Sequence, residues 1–296
     1  MIRIALPCLL LPAVLLPIGA AAADRLTPVA TFEWSTPSVI GLSGLEVSAD
    51  GTRFHAVSDR GWILGGRFER EDGTITAVLP DSLLPILGQD GLPAAARRVG
   101  DWSDAEGLAM APDGTLWISF ERWARVARHA APDAPGQWIR DHPDFAGYPD
   151  NRQLEAVAIA PDGTIFTFAE RPLAAGFAIY RLAGDGWAVD GHIPPSEGFA
   201  IVGADFGPDG RLYLLERKLR LGLWWQSRIR RLMPQAPEAI ETLWTSAPAA
   251  YGNLEGIALW IQGDSIRALA VSDNNGVSGA PIQFVEFRLD GDTVTR

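Results

Sequence analysis

The sequence has little cysteine, little lysine and, beyond its N terminus, no long apolar run. The only cysteine is Cys8 and the only lysine is Lys218 in a chain of 296 residues. If the N-terminal segment is removed, no thiol remains to form a disulfide, bind a metal or act as a nucleophile. The net charge of -11 argues against a general nucleic-acid binder, which needs a basic surface.

The N-terminal segment has the pattern of a secretory signal peptide. Arg3 precedes an apolar run from Ile4 to Ile18, and the small residues Ala20 to Ala23 offer a cleavage site. We therefore expect residues 1–23 to be a signal peptide and residues 24–296 to form one domain, in the periplasm or outside the cell. The alternative is a retained N-terminal anchor, although prolines in the apolar run disfavour a spanning helix.

Glycine and proline are abundant, at 31 and 22 residues, and much of the glycine punctuates a repeat. Five times, an apolar segment, a tight turn and a second apolar segment follow one another. The turn glycines, about 47 to 63 residues apart, are Gly51, Gly114, Gly163, Gly210 and Gly263. Four of the turns read Asp-Gly, which supplies the positive φ of a tight hairpin. This period is typical of a four-stranded propeller blade.

The repeat predicts an all-β fold, a β-propeller with five visible four-stranded blades and room for a sixth, degenerate one. Further hairpins that would supply outer strands lie within residues 66–79, 177–189, 228–244 and 282–295. The early strand Val29 to Trp34 has no nearby partner, so we expect it to close the ring by joining the last blade. We expect Leu83 to Val99 to be an inserted loop or short helix. The alternative fold is an open β-sandwich, which rarely repeats its sequence at this period.

Acidic residues recur at two fixed places in the repeat. A glutamate opens the first strand in three repeats, at Glu106, Glu155 and Glu255. An acid ends the second strand in all five repeats, at Asp59, Glu121, Glu170, Glu216 and Asp273. Because the two strands form a hairpin, both sets are expected at one rim. If the first strand is innermost, the three glutamates converge near the central channel.

Carboxylates in a confined space repel one another unless they take up protons or share a cation. A hard cation with oxygen ligands, Ca²⁺ above all, satisfies such a group. The predicted metal ligands are Glu106, Glu155, Glu255, Asp59 and Asp273. Neutral oxygen ligands nearby would come from Asn253, Asn274 and Asn275. Two alternatives remain open, namely structural ion pairs with the arginines that follow the strand-end acids, and substrate contact without metal.

Several short motifs together resemble one known family. They are Ser43-Gly44-Leu45, Ser58-Asp59-Arg60-Gly61, Glu106-Gly107-Leu108, Leu154-Glu155-Ala156, Glu170-Arg171 and Asn253-Leu254-Glu255-Gly256. The combination resembles the bacterial phytase-like family, often labelled "esterase-like activity of phytase", over nearly the whole mature chain. The resemblance implies an exported propeller-like domain with a phosphoesterase role. By analogy with calcium-dependent propeller phytases, Ca²⁺ in the acidic channel would bind phosphate and activate water. The sequence departs from those phytases in having Lys218 as its only lysine, so arginines would have to hold phosphate.

Two functions follow as hypotheses. In the first, the protein is a metal-dependent phosphoester hydrolase with catalytic residues Glu155, Glu106, Arg60 and Arg171, whose arginines stabilise developing charge. In the second, it is a non-catalytic periplasmic propeller that binds a ligand or partner. A lactonase-like hydrolase that uses a channel metal is a narrower third reading. We expect a monomer that acts on a small molecule and has no nucleic-acid partner or membrane span.

Overall fold

The computed structural model describes residues 25–96, 102–149 and 152–290. The expected signal peptide lies outside these ranges. Within them the strands form five separate four-stranded antiparallel sheets, which confirms the prediction of an all-β propeller with five blades. These residues contain no sixth blade. In the same three ranges, no helix has the length and apolar character that crossing a membrane requires.

The blades, numbered 1 to 5 along the chain, each start with an inner strand and end with an outer one. Blade 1 contains β2 (Leu42–Val47), β3 (Arg53–Ser58), β4 (Trp62–Glu71) and β5 (Thr74–Pro85). Blade 2 contains β6 (Ala105–Met110), β7 (Leu116–Phe120), β8 (Arg125–His129) and β9 (Gln137–Trp138). Blade 3 contains β10 (Leu154–Ile159), β11 (Ile165–Ala169), β12 (Phe177–Ala183) and β13 (Gly186–Ile193). Blade 4 contains β14 (Ala200–Phe206), β15 (Leu212–Arg220), β16 (Trp224–Leu232) and β17 (Glu241–Thr245). Blade 5 contains β18 (Asn253–Gln262), β19 (Ser265–Asp273), β20 (Ile282–Leu289) and β1 (Leu26–Trp34).

The recurring Asp-Gly-Thr turns are built in the same way. In blade 2, the Asp113 carboxylate accepts a hydrogen bond from the backbone N–H of Thr115 at 2.9 Å, and Gly114 between them has φ of 87°. In blade 3, Asp162 accepts from the backbone N–H of Thr164 at the same distance. An aspartate that bonds the backbone two residues on, followed by glycine at positive φ, fixes a tight turn. The turn therefore sets the register of each hairpin.

The first strand of each blade is the innermost, as propellers require. The inner strands β2, β6, β10, β14 and β18 each contact their neighbours, and β18 contacts β2, so the ring is closed. Strand β1 pairs antiparallel with β20 as the outer strand of blade 5. This pairing confirms the predicted closure by the early strand. A further strand over residues 293–295 was expected, but those residues lie outside the described ranges.

The hydrophobic core is divided into five clusters, each between two neighbouring blades. Across the seam that joins the chain ends, for example, Phe54 and Phe68 of blade 1 meet Phe284 of blade 5, with ring centroids 6.3 and 5.5 Å apart. Every sheet therefore buries both faces, which is why the repeat segments are almost continuously apolar. The free energy of folding is shared around the ring rather than held in one centre.

Two parts of blades 1 and 2 differ from the sequence-based expectation. The inserted segment does not begin at Leu83, because β5 continues to Pro85 before a short 3-10 turn at Ala94–Ala96. The outer strands β8 and β9 of blade 2 were not expected. Strand β9 covers only Gln137–Trp138 and lacks an Asp-Gly turn, so it left no recognisable signal. A 3-10 helix at Pro143–Gly147 then leads into blade 3.

Candidate active site at the channel mouth

A β-bulge at the start of every inner strand sets the position of the channel residues. In blades 2, 3 and 5 the pairing with the second strand shifts register around Glu106, Glu155 and Glu255. In blades 1 and 4 the shift falls at Ser43 and Val202. A bulge leaves one residue outside the ladder and turns its side chain to a new direction. Repetition of the bulge therefore directs Ser43, Glu106, Glu155 and Glu255 towards the same mouth of the channel, whereas Val202 packs in the core between blades 4 and 5.

The glycine after the bulged glutamate allows the inner strands to approach closely. A Cβ atom on Gly107 would lie 2.7 Å from the backbone nitrogen of Val157 in blade 3. A Cβ atom on Gly256 would lie 2.2 Å from the carbonyl oxygen of Ser43 in blade 1. Both distances are too short for any side chain. The Glu-Gly pair thus joins a channel carboxylate to a backbone contact between blades.

The side chains of Ser43 and the three bulged glutamates line one cavity of about 500 Å³ at the mouth of the channel. Of the predicted site residues, those that line it are Asp59, Glu106, Glu155, Glu255, Asp273 and Arg171. Arg60 does not line the cavity, but its Nε atom lies 3.3 Å from Oδ1 of Asp59. The structure therefore brings six of the predicted residues together and places the seventh against one of them.

Two groups of three carboxylates at the cavity are close enough to share cations, and all of their members except Asp104 line it. Oxygen atoms of Asp104, Glu106 and Glu121 lie within 4.8 Å of one another, and so do those of Glu121, Glu155 and Glu170. We call these groups the first and second triads. Glu121 belongs to both. Asp104, which precedes β6 directly, was missed by the sequence analysis because the equivalent position in the other repeats is not acidic.

Burial and mutual repulsion disfavour ionisation of these acids. Glu155 is 2% exposed and Glu106 8% exposed, and burial raises the pKa of both carboxyls well above its usual range. Burial, with repulsion from Asp104, raises the pKa of Glu121 to about 7. Burial also raises the pKa of Asp59 to about 6. Ionising the group at neutral pH therefore costs free energy unless positive charge is supplied.

Arg217 supplies part of that positive charge from blade 4. Its Nη1 atom donates to Oδ1 of Asn253 at 2.9 Å and also contacts the carboxylate of Glu255. Its Nη2 atom lies 3.8 Å from Oε1 of Glu170. Glu255 further accepts a hydrogen bond from Oγ of Ser43 at 3.1 Å. Glu255 is thus neutralised by Arg217 and lies outside both triads, although it remains in the cavity wall.

The strand-end acid of blade 4, Glu216, is paired with arginines and does not line the channel cavity. Glu216 is fully buried, and its Oε2 atom accepts from Nε of Arg228 at 2.7 Å and from Nε of Arg230 at 2.8 Å. The inner strand of this blade carries Val202 where three other blades carry glutamate. Glu216 is therefore an ion-paired structural acid, but its partners are not the arginine that follows it. Pairs between a strand-end acid and the following arginine occur in blades 1 and 3, where Nε of Arg60 lies 3.3 Å from Asp59 and Nε of Arg171 lies 3.6 Å from Glu170. The acids of blades 2 and 3 form the triads.

The asparagines expected as neutral ligands are used in hydrogen bonds within the protein. Oδ1 of Asn253 accepts from Arg217, and Oδ1 of Asn274 accepts from the backbone N–H of Gly41 at 3.0 Å. The backbone N–H of Asn275 donates to Asp273 at 2.8 Å. These bonds hold the loops around the mouth and already engage the side-chain oxygen atoms of Asn253 and Asn274.

A second acidic pair lies further along the inner strands. Glu46 accepts from the backbone N–H of Met110 at 3.1 Å, and Asp205 accepts from that of Leu259 at 2.6 Å. Each bond joins two neighbouring blades. Burial raises the pKa of Asp205 to about 7, and burial together with repulsion from Asp205 raises that of Glu46 well above its usual range. The sequence analysis missed this pair because neither position repeats.

Fold and site together define a five-bladed propeller with a carboxylate-rich cavity at one mouth of its channel. A family model described as phytase-like, with the esterase-like activity of phytase, matches residues 37–276. The chain belongs to this phytase-like family, as its motifs suggested. A search of curated proteins finds no match to the sequence.

Solved structures show only distant overall similarity. The major Malassezia sympodialis allergen Mala s 1 is 13% identical, with a TM-score of 0.46, over 86% of this chain and 79% of that one. A protein described as a putative gluconolactonase is 12% identical, with a TM-score of 0.45, over 90% and 97%. Inactive virginiamycin B lyase from Staphylococcus aureus, with quinupristin, is 12% identical, with a TM-score of 0.42, over 86% and 98%. Similarities at this level carry no argument about function.

Proposed function

We propose that this protein is a calcium-dependent phosphoester hydrolase whose active site is the cavity at the channel mouth. The observation that carries the proposal is the pair of carboxylate triads that share Glu121. Their donors are all oxygen atoms, which suits a hard divalent cation such as Ca²⁺ better than a softer metal. The raised pKa values of these carboxyls also support a cation, because buried carboxylates at this spacing repel one another unless a positive charge lies between them.

The first and second triads would each hold one cation, with Glu121 shared between them. A bound divalent cation supplies positive charge that polarises a phosphoryl oxygen and favours ionisation of water. Asp59 lines the same cavity, with Nε of Arg60 3.3 Å from its Oδ1 atom, and its role as a further ligand remains a prediction. The ligand roles of Asp273 and Glu255 also remain predictions.

Arginines on the cavity wall would bind and orient the phosphoryl group. Arg171 and Arg152 both line the cavity, and the guanidinium group forms paired hydrogen bonds with phosphate oxygens. Arg60 would act from beside Asp59. Glu106 and Glu155, which face the same space, are the residues proposed to exchange protons with the reacting groups.

The remaining lining favours a substrate with one phosphoryl group and an organic part. Trp225 and Leu219 add apolar surface to the cavity, whereas Lys218 is the only lysine available. A cavity of about 500 Å³ holds a small molecule. We therefore propose a simple phosphomonoester or phosphodiester rather than a substrate bearing many phosphates.

The test is a panel of phosphate esters, carboxylic esters and lactones assayed with the mature protein in Ca²⁺ and in EDTA. The proposal expects turnover of a phosphate ester that EDTA abolishes and added Ca²⁺ restores. It also expects Glu155→Gln to lose turnover while its circular dichroism spectrum and melting temperature show a folded protein. Glu238→Gln, at an exposed position, is the matched control. Turnover unaffected by EDTA, or no turnover across the panel, contradicts the proposal.

The second candidate is a non-catalytic propeller that binds a ligand or partner at the same mouth. Arg217 favours it, because this residue lines the cavity and neutralises Glu255 from within the protein. In that case, Ca²⁺ would neither bind tightly nor change activity. The variant Arg217→Met separates the two candidate functions. If the acidic cluster is purely structural, the variant loses stability that Ca²⁺ does not restore, whereas in a metal site Ca²⁺ restores part of it.

Export is part of the proposal and is supported by the N-terminal sequence alone. The apolar run before Ala20 to Ala23 has the length and flanks of a cleaved signal peptide. Expression of the full chain in a Gram-negative host should yield a periplasmic protein whose N terminus is Asp24. Recovery of the uncleaved chain from the membrane fraction would support the retained anchor instead.

A further inference from the structure

A tryptophan in blade 2 occupies a left-handed backbone position that blade 1 gives to glycine and blade 5 to asparagine. The second residue after the strand-end acid is Gly61 in blade 1, Trp123 in blade 2 and Asn275 in blade 5. All three have left-handed backbone conformations, with φ of 80°, 58° and 53°. Glycine adopts this conformation freely and asparagine tolerates it, whereas a bulky side chain is strained there. The turn in blade 2 thus keeps its shape in spite of the tryptophan.

Burial of the indole does not explain why it is kept. Trp123 is 58% exposed, which makes it one of the most exposed large hydrophobic side chains among the described residues. A strained backbone that supports an exposed aromatic ring is a feature of binding and catalytic sites rather than of cores. We therefore expect the exposed indole of Trp123 to contact a ligand.

The indole belongs to a fixed group of aromatic side chains at the outer part of blade 2. The ring of Trp102 lies 5.3 Å from that of Trp123 and 4.8 Å from that of Trp138. The guanidinium of Arg125, which is 5% exposed, packs 5.3 Å from the Trp102 ring and 5.5 Å from the Trp138 ring. Because Arg125 also donates to the carbonyl of Trp123 at 3.1 Å, the rings are held in place before any ligand arrives.

Trp123 and Trp138 line a separate cavity of about 750 Å³. Its polar lining includes Arg140, Asp141 and His142, and its apolar floor includes Phe145. The cavity at the channel mouth shares none of these residues. This aromatic cavity is therefore a second site, independent of the proposed hydrolase chemistry.

Charge restricts what the aromatic cavity accepts. Arg125 disfavours an organic cation and weakens the attraction of the neighbouring rings for positive charge, whereas the charge of Arg140 is balanced by Asp185 at 3.0 Å. The carboxylate of Asp141 disfavours an anion but accepts hydrogen bonds from hydroxyl groups. We propose that this cavity binds a neutral, hydroxyl-bearing ring, the pyranose ring of a carbohydrate, packed against Trp123 and Trp138.

The experiment titrates the mature protein with neutral hexoses and their disaccharides by calorimetry and ligand-observed NMR. Trp123→Gly should lower affinity at least tenfold and keep or raise the melting temperature, because glycine suits this φ. Trp138→Ala should also weaken binding. Trp224→Ala, at an exposed tryptophan in blade 4, should leave it unchanged.

Several outcomes overturn the proposal. Failure of every sugar to bind the unaltered protein rejects it, as does unchanged affinity in Trp123→Gly. A lower melting temperature in Trp123→Gly would show that the indole is kept for packing. Binding of phenol or indole without any sugar would reject the carbohydrate. Asp141→Ala distinguishes these ligands further, since it should lower the affinity for a sugar and leave the affinity for phenol or indole unchanged.

Discussion

Removal of the shared carboxylate of the two triads should stabilise the metal-free protein at alkaline pH. Glu121 is 6% exposed, and its pKa of about 7 in the folded state compares with an ordinary value of 4.5. Between these values the folded chain binds more protons than the unfolded chain, so the free energy of unfolding falls as pH rises. At ~1.4 kcal/mol for each pH unit, the loss reaches about 3 kcal/mol above pH 7.

In Glu121→Gln the side chain does not ionise, so the free energy of unfolding does not fall in this way as pH rises. In EDTA at pH 8 we expect the variant to be more stable than the unaltered protein by about 3 kcal/mol, and at pH 4 we expect the two to be equal. Calcium should reverse the order, because the unaltered protein gains binding free energy that the variant has given up. Urea denaturation followed by circular dichroism, with and without Ca²⁺, measures both effects.

Glu238→Gln is the control. Glu238 is exposed and does not line the cavity, so this variant should have the stability of the unaltered protein at every pH. If Glu121→Gln were less stable than the unaltered protein in EDTA at pH 8, Glu121 would be a paired structural anion. The reasoning from repulsion would then be refuted.

Three further predictions concern the same region. Gly256→Ala should lower the free energy of unfolding by ~2 kcal/mol or more in urea denaturation, because its Cβ would lie 2.2 Å from the Ser43 carbonyl oxygen; normal stability would show that the inner strands move apart freely. Arg217→Met should cost ~3–5 kcal/mol in EDTA by leaving buried Glu255 unpaired, and Ca²⁺ should recover part of the loss. Calcium affinity should fall as pH drops through 7 and 6, because Asp59, with a pKa of about 6, and the triads take up protons; calorimetry at pH 5 and pH 8 measures the change, and equal affinities would contradict it.

The propeller was predictable because its signal repeats. Asp-Gly turns mark four of the five inner hairpins, and the closure by β1 followed from an early strand without a local partner. Blade 2 shows where this signal ends, since β9 has two residues and no turn motif. Regular elements with recurring turn chemistry leave a pattern in one sequence, and irregular outer strands do not.

The site was predictable in outline and not in detail. Alignment of the repeats placed Glu106 and Glu155 at one rim, because the hairpin geometry requires it. It did not show that a bulge turns each of them into the channel. Among the strand-end acids it selected Asp59 and Asp273 as metal ligands, whereas the structure places Glu121 in both triads and Glu170 in the second. Side-chain direction after a bulge depends on backbone hydrogen bonding that residue types alone do not encode.

Charge neutralisation was the least predictable part. Both Arg171 and Arg217 follow a strand-end acid, and the sequence gives no reason to separate them. Strand β15 continues beyond Glu216 to Arg220, so Arg217 lies within a strand and reaches Glu255 in the next blade. Arg171 follows the end of β11 and lies at the cavity wall. The difference arises from strand length, which the motif does not specify.

Calorimetric titration of Ca²⁺ into the EDTA-treated mature protein at pH 8 tests the central claim that the two triads bind cations. We predict two Ca²⁺ ions per chain and the loss of high-affinity binding in Glu121→Gln, with Glu238→Gln unchanged. Absence of binding at millimolar Ca²⁺, or binding that Glu121→Gln leaves intact, would contradict it.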